Sequence, residues 1–347
     1  MRGRVDHEGG EHIAGDQQGD VRRMTSRTHS PPRSSFLSAQ PATAAIEIAA
    51  GRVTVVEINR RPGGLVVSAC ASAALPAGVV TPSLTGTNIH DPAVVTAAIR
   101  QACEAAGIRP PRRAALVVPD SAARLSLLTF EELPPKAADV DQLVRWQIKK
   151  ATPFPLDDAQ VTHAIAHQDT GATTLAAIAA RRAAVVEYEQ VVLALGTHPG
   201  VVDLASVSVL NAALAGDTTA AGDCLLVCVA RESTVLAIVR AGELVFYRHR
   251  HAIDEEPLGA LVHQTAMYHE DRLEGGKFAR VWLCGASWAG EGGEAIRREI
   301  SQRLSVDAQP VDVRGAAAFA DRIGVSAAVL DAIAAPLGAL LRDRMGA

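Results

Sequence analysis

The chain has 347 residues, with 34 Lys and Arg against 38 Asp and Glu, a formal charge of −4 and a sequence pI near 6.3. That balance lacks the basic field nucleic-acid binding requires. Hydrophobic residues make up 48% and aromatics only 3%, and no uninterrupted apolar run approaches the roughly 20 residues needed to cross a bilayer, which excludes direct membrane insertion by a helix.

In chain order, residues 1–42 lack the apolar core of a signal peptide and are expected to be disordered, with Met24 as an alternative start. AAIEIAAGRVTVVEI (44–58) reads as a β-hairpin: two β-branched runs broken by a small-residue turn from Ala49 to Arg52. A further apolar run covers Leu65 to Ala73. The stretch 91–107 is the clearest helix, with Asp91 as cap, Pro92 in its first position and Gly107 at its end. RAALVVP (113–119) follows as a buried strand, an order typical of α/β domains.

From Ser121 the texture changes. An edge strand (123–134) runs into a loop, and a helix (139–151) carries Val140, Leu143, Val144 and Ile148 on one face, with Trp146, Lys149 and Lys150 off it. Two prolines around Phe154 stop that helix. Strands at 161–167 and 173–180 and a helix at 183–196 follow, and the earlier style resumes with a strand at 200–204 and a short helix at 206–214. The hairpin pattern then returns at 224–246, with a turn from Ala230 to Thr234. After it come a helix (258–273), a strand (280–286), an amphipathic helix (294–304), a last strand near 306–313 and a helix through 336–345.

The cysteines, Cys70, Cys103, Cys224, Cys228 and Cys284, are widely spaced in apolar contexts and read as reduced, buried thiols of a cytoplasmic protein. The recurrence of the hairpin suggests two related α/β halves facing one another across a cleft, and Cys228 and Cys284 can approach across it. His163 and His167 sit about 13 Å apart on a strand, too far for one metal ion, and no metal site is expected. His249 and His251 read as solvated rather than catalytic, and nothing forms a hydrolytic triad.

The run KKATPFPLDDAQVTHAIAH (149–167), preceded by VVPDSAARLSLLTFEELP (117–134) and followed by LAAIAARRAAVVEYEQVVLALG (175–196), resembles the PilM family. These are actin-like pilus-assembly proteins of type IV pilus, competence and type II secretion systems, related to FtsA. The resemblance implies an α/β, actin/Hsp70-like two-domain fold with an FtsA-type inserted subdomain and a reduced second domain. The expected division is 43–120 plus 198–218 for the first domain, 121–197 for the inserted subdomain and 219–347 for the second domain, without a nucleotide-covering subdomain.

The resemblance also marks a degenerate nucleotide site: Glu47, Ala50, Gly51 and Arg52 in the first turn, Arg231, Ser233 and Thr234 in the second, and Gly285 at the adenosine side. The metal-holding aspartates of nucleotide-binding relatives are here Glu47 and Cys228, and a neutral thiol is no ligand for Mg²⁺. Ala49 and Ala230 replace glycines that let backbone approach phosphate, and Glu232 adds like charge. No cofactor is therefore expected, with ATP and Mg²⁺ as the alternative.

The implied function is a cytoplasmic, non-catalytic scaffold, held at the inner membrane through its partners. It binds the cytoplasmic tail of a PilN-like protein and other platform components, and self-association is left open. The alternative is an ATP-binding switch whose nucleotide state controls partner binding. Scarce aromatics single out Trp146 and Phe154, either as packing within the inserted subdomain or as anchors of a peptide groove between that subdomain and the first domain.

Overall fold

Runs of Val, Ile, Leu and Ala fill strands buried on both faces, so the sequence alternates little between polar and apolar along them. On β1 (Ala44–Ala49) Ala45 points into one core while Ile46 and Ile48 point into another. The structure is a computed structural model describing residues 41–62, 64–217, 221–252, 257–289 and 291–345. These belong to one compact unit, Gln40–Ala347. The disorder expected of 1–42, apart from residues 41 and 42, and the start at Met24 lie outside the described residues.

The first sheet begins with three antiparallel strands, β1, β2 (Arg52–Arg61) and β3 (Gly64–Ala74). Helix α1 (Pro92–Ala105) then leads to β4 (Arg113–Val118), which pairs parallel with β1. The Asp91 carboxylate caps α1 by accepting the N–H groups of Ala93 and Val94, both at 3.1 Å. The same plan recurs: β9 (Cys224–Val229), β10 (Ser233–Arg240) and β11 (Glu243–His251) are antiparallel. Helix α5 (Leu258–Arg272) then leads to β12 (Arg280–Cys284), parallel to β9.

Between the two plans lie β5 (Ala123–Phe130), α2 (Ala137–Ile148), β6 (Ala159–Asp169), β7 (Ala172–Arg181), α3 (Arg182–Leu193), β8 (His198–Leu204) and α4 (Ala205–Gly216). After β12 come α6 (Glu291–Leu304), β13 (Ala308–Pro310), β14 (Ala318–Phe319) and α7 (Ala327–Met345). The sheet orders are β14-β3-β2-β1-β4-β8, β11-β10-β9-β12-β13 and β5-β7-β6.

The central core lies between the first two sheets, where α4 and α7 pack against inward residues such as Ala45, Val56, Leu226 and Trp282. The helices cross so closely that a Cβ on Gly338 would fall 1.7 Å from the Ser208 carbonyl oxygen. On the outer faces, α1 and α3 cover Ile46 and Val53, and α5 and α6 cover Leu225 and Ile238. Val144 and Ile148 of α2 cover Leu175 and Ala177 of the three-stranded sheet. Each fully buried Ile or Leu contributes about 1.5–3 kcal/mol.

Two expectations about the end of the chain change. The last helix begins at Ala327, with Pro336 inside it rather than at its start; burial between two sheets outweighs the roughly 3 kcal/mol cost of an interior proline. Residues 219–347, expected as the second domain, divide between both sheets. β14 pairs with β3, and Ile333 and Leu337 of α7 join the core that contains β1, β2 and β4 residues.

Candidate functional site

The turns after β1 and β9 border one cavity of about 390 Å³. Glu47, Ala50, Gly51, Arg52, Arg231, Ser233 and Gly285 all line it, and Thr234 does not. Glu47 is buried, and burial raises its pKa although Arg52 opposes the shift. The Arg52 guanidinium donates to Glu47 at 3.1 Å and to the Thr54 hydroxyl at 3.2 Å, so it is already committed within the chain. Glu232 has its pKa raised by burial first, with the nearby Glu47 charge adding to the shift.

Three further residues complete the cleft. Asp120, just past β4, accepts hydrogen bonds from the Ser206 N–H at 3.2 Å, from the Ser206 hydroxyl and from the Tyr247 hydroxyl at 3.3 Å. Burial pushes its pKa up to about 6. Asp331, on α7, accepts the Gly285 N–H at 2.7 Å, the Ser287 N–H at 3.1 Å and the Ser287 hydroxyl. A side chain of this molecule thus fills amide groups at the end of β12 that would otherwise greet an anion. Gly285 has φ +87°, and a Cβ there would sit 1.9 Å from the Val229 carbonyl oxygen, so the close approach of β12 to β9 itself demands glycine.

Sequence reasoning missed Asp120, Ser206 and Asp331. A signal existed for Asp120, since ligands of α/β sheets gather at the carboxyl ends of parallel strands. Asp331 had none, because only the return of α7 brings it to the cleft.

Cys228 and Cys284 are register neighbours on β9 and β12, within one sheet rather than across the cleft. All five cysteines are free thiols, with Cys70 and Cys228 half-buried. The hydrogen bond to Cys228 and burial together hold the Cys284 thiol well above its usual pKa. His249, expected to be solvated, is half-buried with its Nε2 3.1 Å from the buried Ser121 hydroxyl. His167 Nδ1 lies 2.6 Å from Glu243.

A second recess, a groove of about 440 Å³, lies between the three-stranded sheet and the outer elements of the first sheet. Its floor carries Leu125 and Ile178 and its opposite wall Tyr188, Val207 and Leu210, while Asp203 and Arg342 supply charge. The residues singled out for a groove lie elsewhere: neither Trp146 nor Phe154 lines it. Phe154 packs against the core under α2. Trp146 is 71% exposed on α2, so the packing expected of it within the subdomain does not occur.

Comparison with known proteins follows the same architecture. Residues 45–258 match the family model described as type IV pilus assembly protein PilM. A chain of a solved PilM–PilN type IV pilus biogenesis complex is 18% identical, with 86% of this chain and 98% of that chain covered and a TM-score of 0.72. Two looser likenesses are to a protein of actin-like ATPase fold and unknown function from Bacteroides thetaiotaomicron and to the cytoplasmic domain of EpsL, an inner-membrane component of the Vibrio cholerae type II secretion system. The first is 9% identical over 89% of this chain and 99% of that one, at a TM-score of 0.47. The second is 9% identical over 88% and 94%, at 0.45. No curated protein matches. The paired α/β halves form the actin-like fold, and the match over most of its length shows that this chain belongs to the type IV pilus assembly protein PilM family.

Proposed function

We propose that the chain is a cytoplasmic scaffold of a type IV pilus or type II secretion-like inner-membrane platform, which holds the extended cytoplasmic tail of a PilN-like protein in the groove beside the three-stranded sheet. The observation that carries this reading is the groove itself: an open, mostly apolar recess with few charged groups suits a short extended peptide. The likeness to a chain solved as a PilM–PilN complex supports the choice of occupant. Among the described residues no helix is long and apolar enough to cross a membrane, in keeping with recruitment through a partner. Co-purification with the tail tests the reading. Capture by the unaltered chain and loss of capture after Ala176→Phe, which fills the groove, are expected; capture that survives the filling overturns it.

The alternative, a switch driven by magnesium nucleotide, meets unfavourable chemistry. Glu47, Asp120, Glu232 and Asp331 line the cleft against Arg52 and Arg231, Arg52 is tied to Glu47, and Asp331 occupies amide donors. A triphosphate entering there meets like charge at low dielectric, where repulsion is strong. β11 ends at His251 and α5 begins at Leu258, too short a connection for a nucleotide-covering subdomain. We infer that the cleft serves shape rather than turnover. Calorimetry with ATP and Mg²⁺ is expected to show no binding, and a micromolar dissociation constant reverses this conclusion.

A further inference from the structure

The residues that line the groove distinguish strand faces from strand edges. β7 contributes Ala176, Ile178 and Ala180, and β5 contributes Ala123 and Leu125; every second residue is what a strand shows when met face-on. β8 instead contributes Val202, Asp203 and Leu204 in succession. Successive strand side chains point to opposite faces, so the groove meets β8 along its edge, where the main-chain donors and acceptors lie.

That edge is open. β8 ends the six-stranded sheet, with β4 as its only strand neighbour among the described residues. Val201, Val202 and Asp203 are half-buried rather than covered. Edge strands are commonly blunted by proline, bulges or charge. In β8 the proline and the register irregularity fall near its start, at Pro199 and opposite Ala114/Ala115, which leaves Asp203 as the charge that β8 itself sets beside the groove, with Arg342 of α7 also lining it. Its carboxylate accepts the adjacent Leu204 N–H at 2.9 Å. Across the groove β6 shows the same pattern: Thr162, His163 and Ala164 line it in succession, and β6 ends the three-stranded sheet.

We propose that the docked segment joins the free edge of β8 as an additional strand, extending the six-stranded sheet toward β6. This inference rests on the groove being the docking site of the PilN-like tail. Strand addition places affinity in main-chain hydrogen bonds and sends alternate side chains toward the apolar floor. The segment that fits is about five residues long, apolar at alternate positions, free of proline at its centre, and carries an N–H donor beside Asp203.

The test uses the full chain and a synthetic peptide of the PilN-like cytoplasmic tail, labelled at its C-terminus and followed by fluorescence anisotropy. Each backbone amide of the peptide is N-methylated in turn. Losses of about tenfold at every second position, with little change between them, are expected for a paired strand. Wild-type peptide that binds and is expelled by Ala176→Phe, yet shows no alternation on methylation, overturns strand addition and leaves the docking site standing. Wild-type peptide that does not bind, or that the filled groove still holds, overturns the docking site and this inference with it.

Discussion

The two recesses of this molecule differ in how their polar groups are used. In the cleft between the large sheets, three of the four lining carboxylates have partners within the chain: Glu47 meets Arg52, Asp120 meets Ser206 and Tyr247, and Asp331 meets Gly285 and Ser287. In the groove, Asp203 accepts only its neighbouring amide among the hydrogen bonds described, and the walls are mainly apolar. A recess whose donors and acceptors are internally satisfied gains little from a ligand, because each new contact must break an old one. A recess with open strand edges and uncovered apolar surface gains from any segment that covers them. The contrast supports the proposal that recognition belongs to the groove rather than to the cleft.

The contrast can be broken most forcefully at Gly285. Gly285→Ala puts a Cβ against the Val229 carbonyl at positive φ, and urea denaturation should show a loss of about 4 kcal/mol or failure to fold. Asp331→Ala removes a carboxylate with three donors, and a loss of about 2–3 kcal/mol is expected. If that variant binds ATP and Mg²⁺ in calorimetry, the cleft is a plugged nucleotide site rather than an eroded one.

Asp120 sharpens the comparison through pH. The unfolded chain releases this proton near 3.8 and the folded chain near 6, because burial disfavours the charge. The folded state therefore holds more protons within that window, and the stability Asp120 contributes is full below it and lost as pH rises toward 6. Relative to Asp120→Asn, the wild type should gain about 2 kcal/mol on going from pH 6 to pH 4, measured by denaturation at each pH. In the groove, Ala176→Phe should weaken tail binding by at least about tenfold with little change in stability. Trp146→Ala should leave tail affinity unchanged, since its side chain is exposed outside both recesses.

What the sequence makes legible follows from how local each cause is. The hairpins are written in β-branched runs and α1 in its Asp91-Pro92 start, so both emerge from short windows. Pro336 reads locally as a helix start, and only burial between two sheets keeps it inside α7. β14, two residues long, has no period to detect. The turn residues that face the cleft came from a resemblance with known positions. Asp120 and Asp331 act there because distant elements meet, and no spacing announces that. The scarcity of aromatics drew notice to Trp146, yet its position off the apolar stripe of its helix already favoured exposure. The groove is lined largely by Ala, Val and Leu, which in sequence look the same as any core.

The return of α7 to the first sheet has a consequence for biogenesis. The inner face of β1, β2 and β4 is sealed by a helix that leaves the ribosome long after those strands do. Until then the early half carries a bare apolar wall, the kind of surface that attracts chaperones or misassociates. Closure of the first sheet thereby waits until α7 (Ala327–Met345) has been made, and a nonsense change just before Ala327 should harm the first sheet as much as the second.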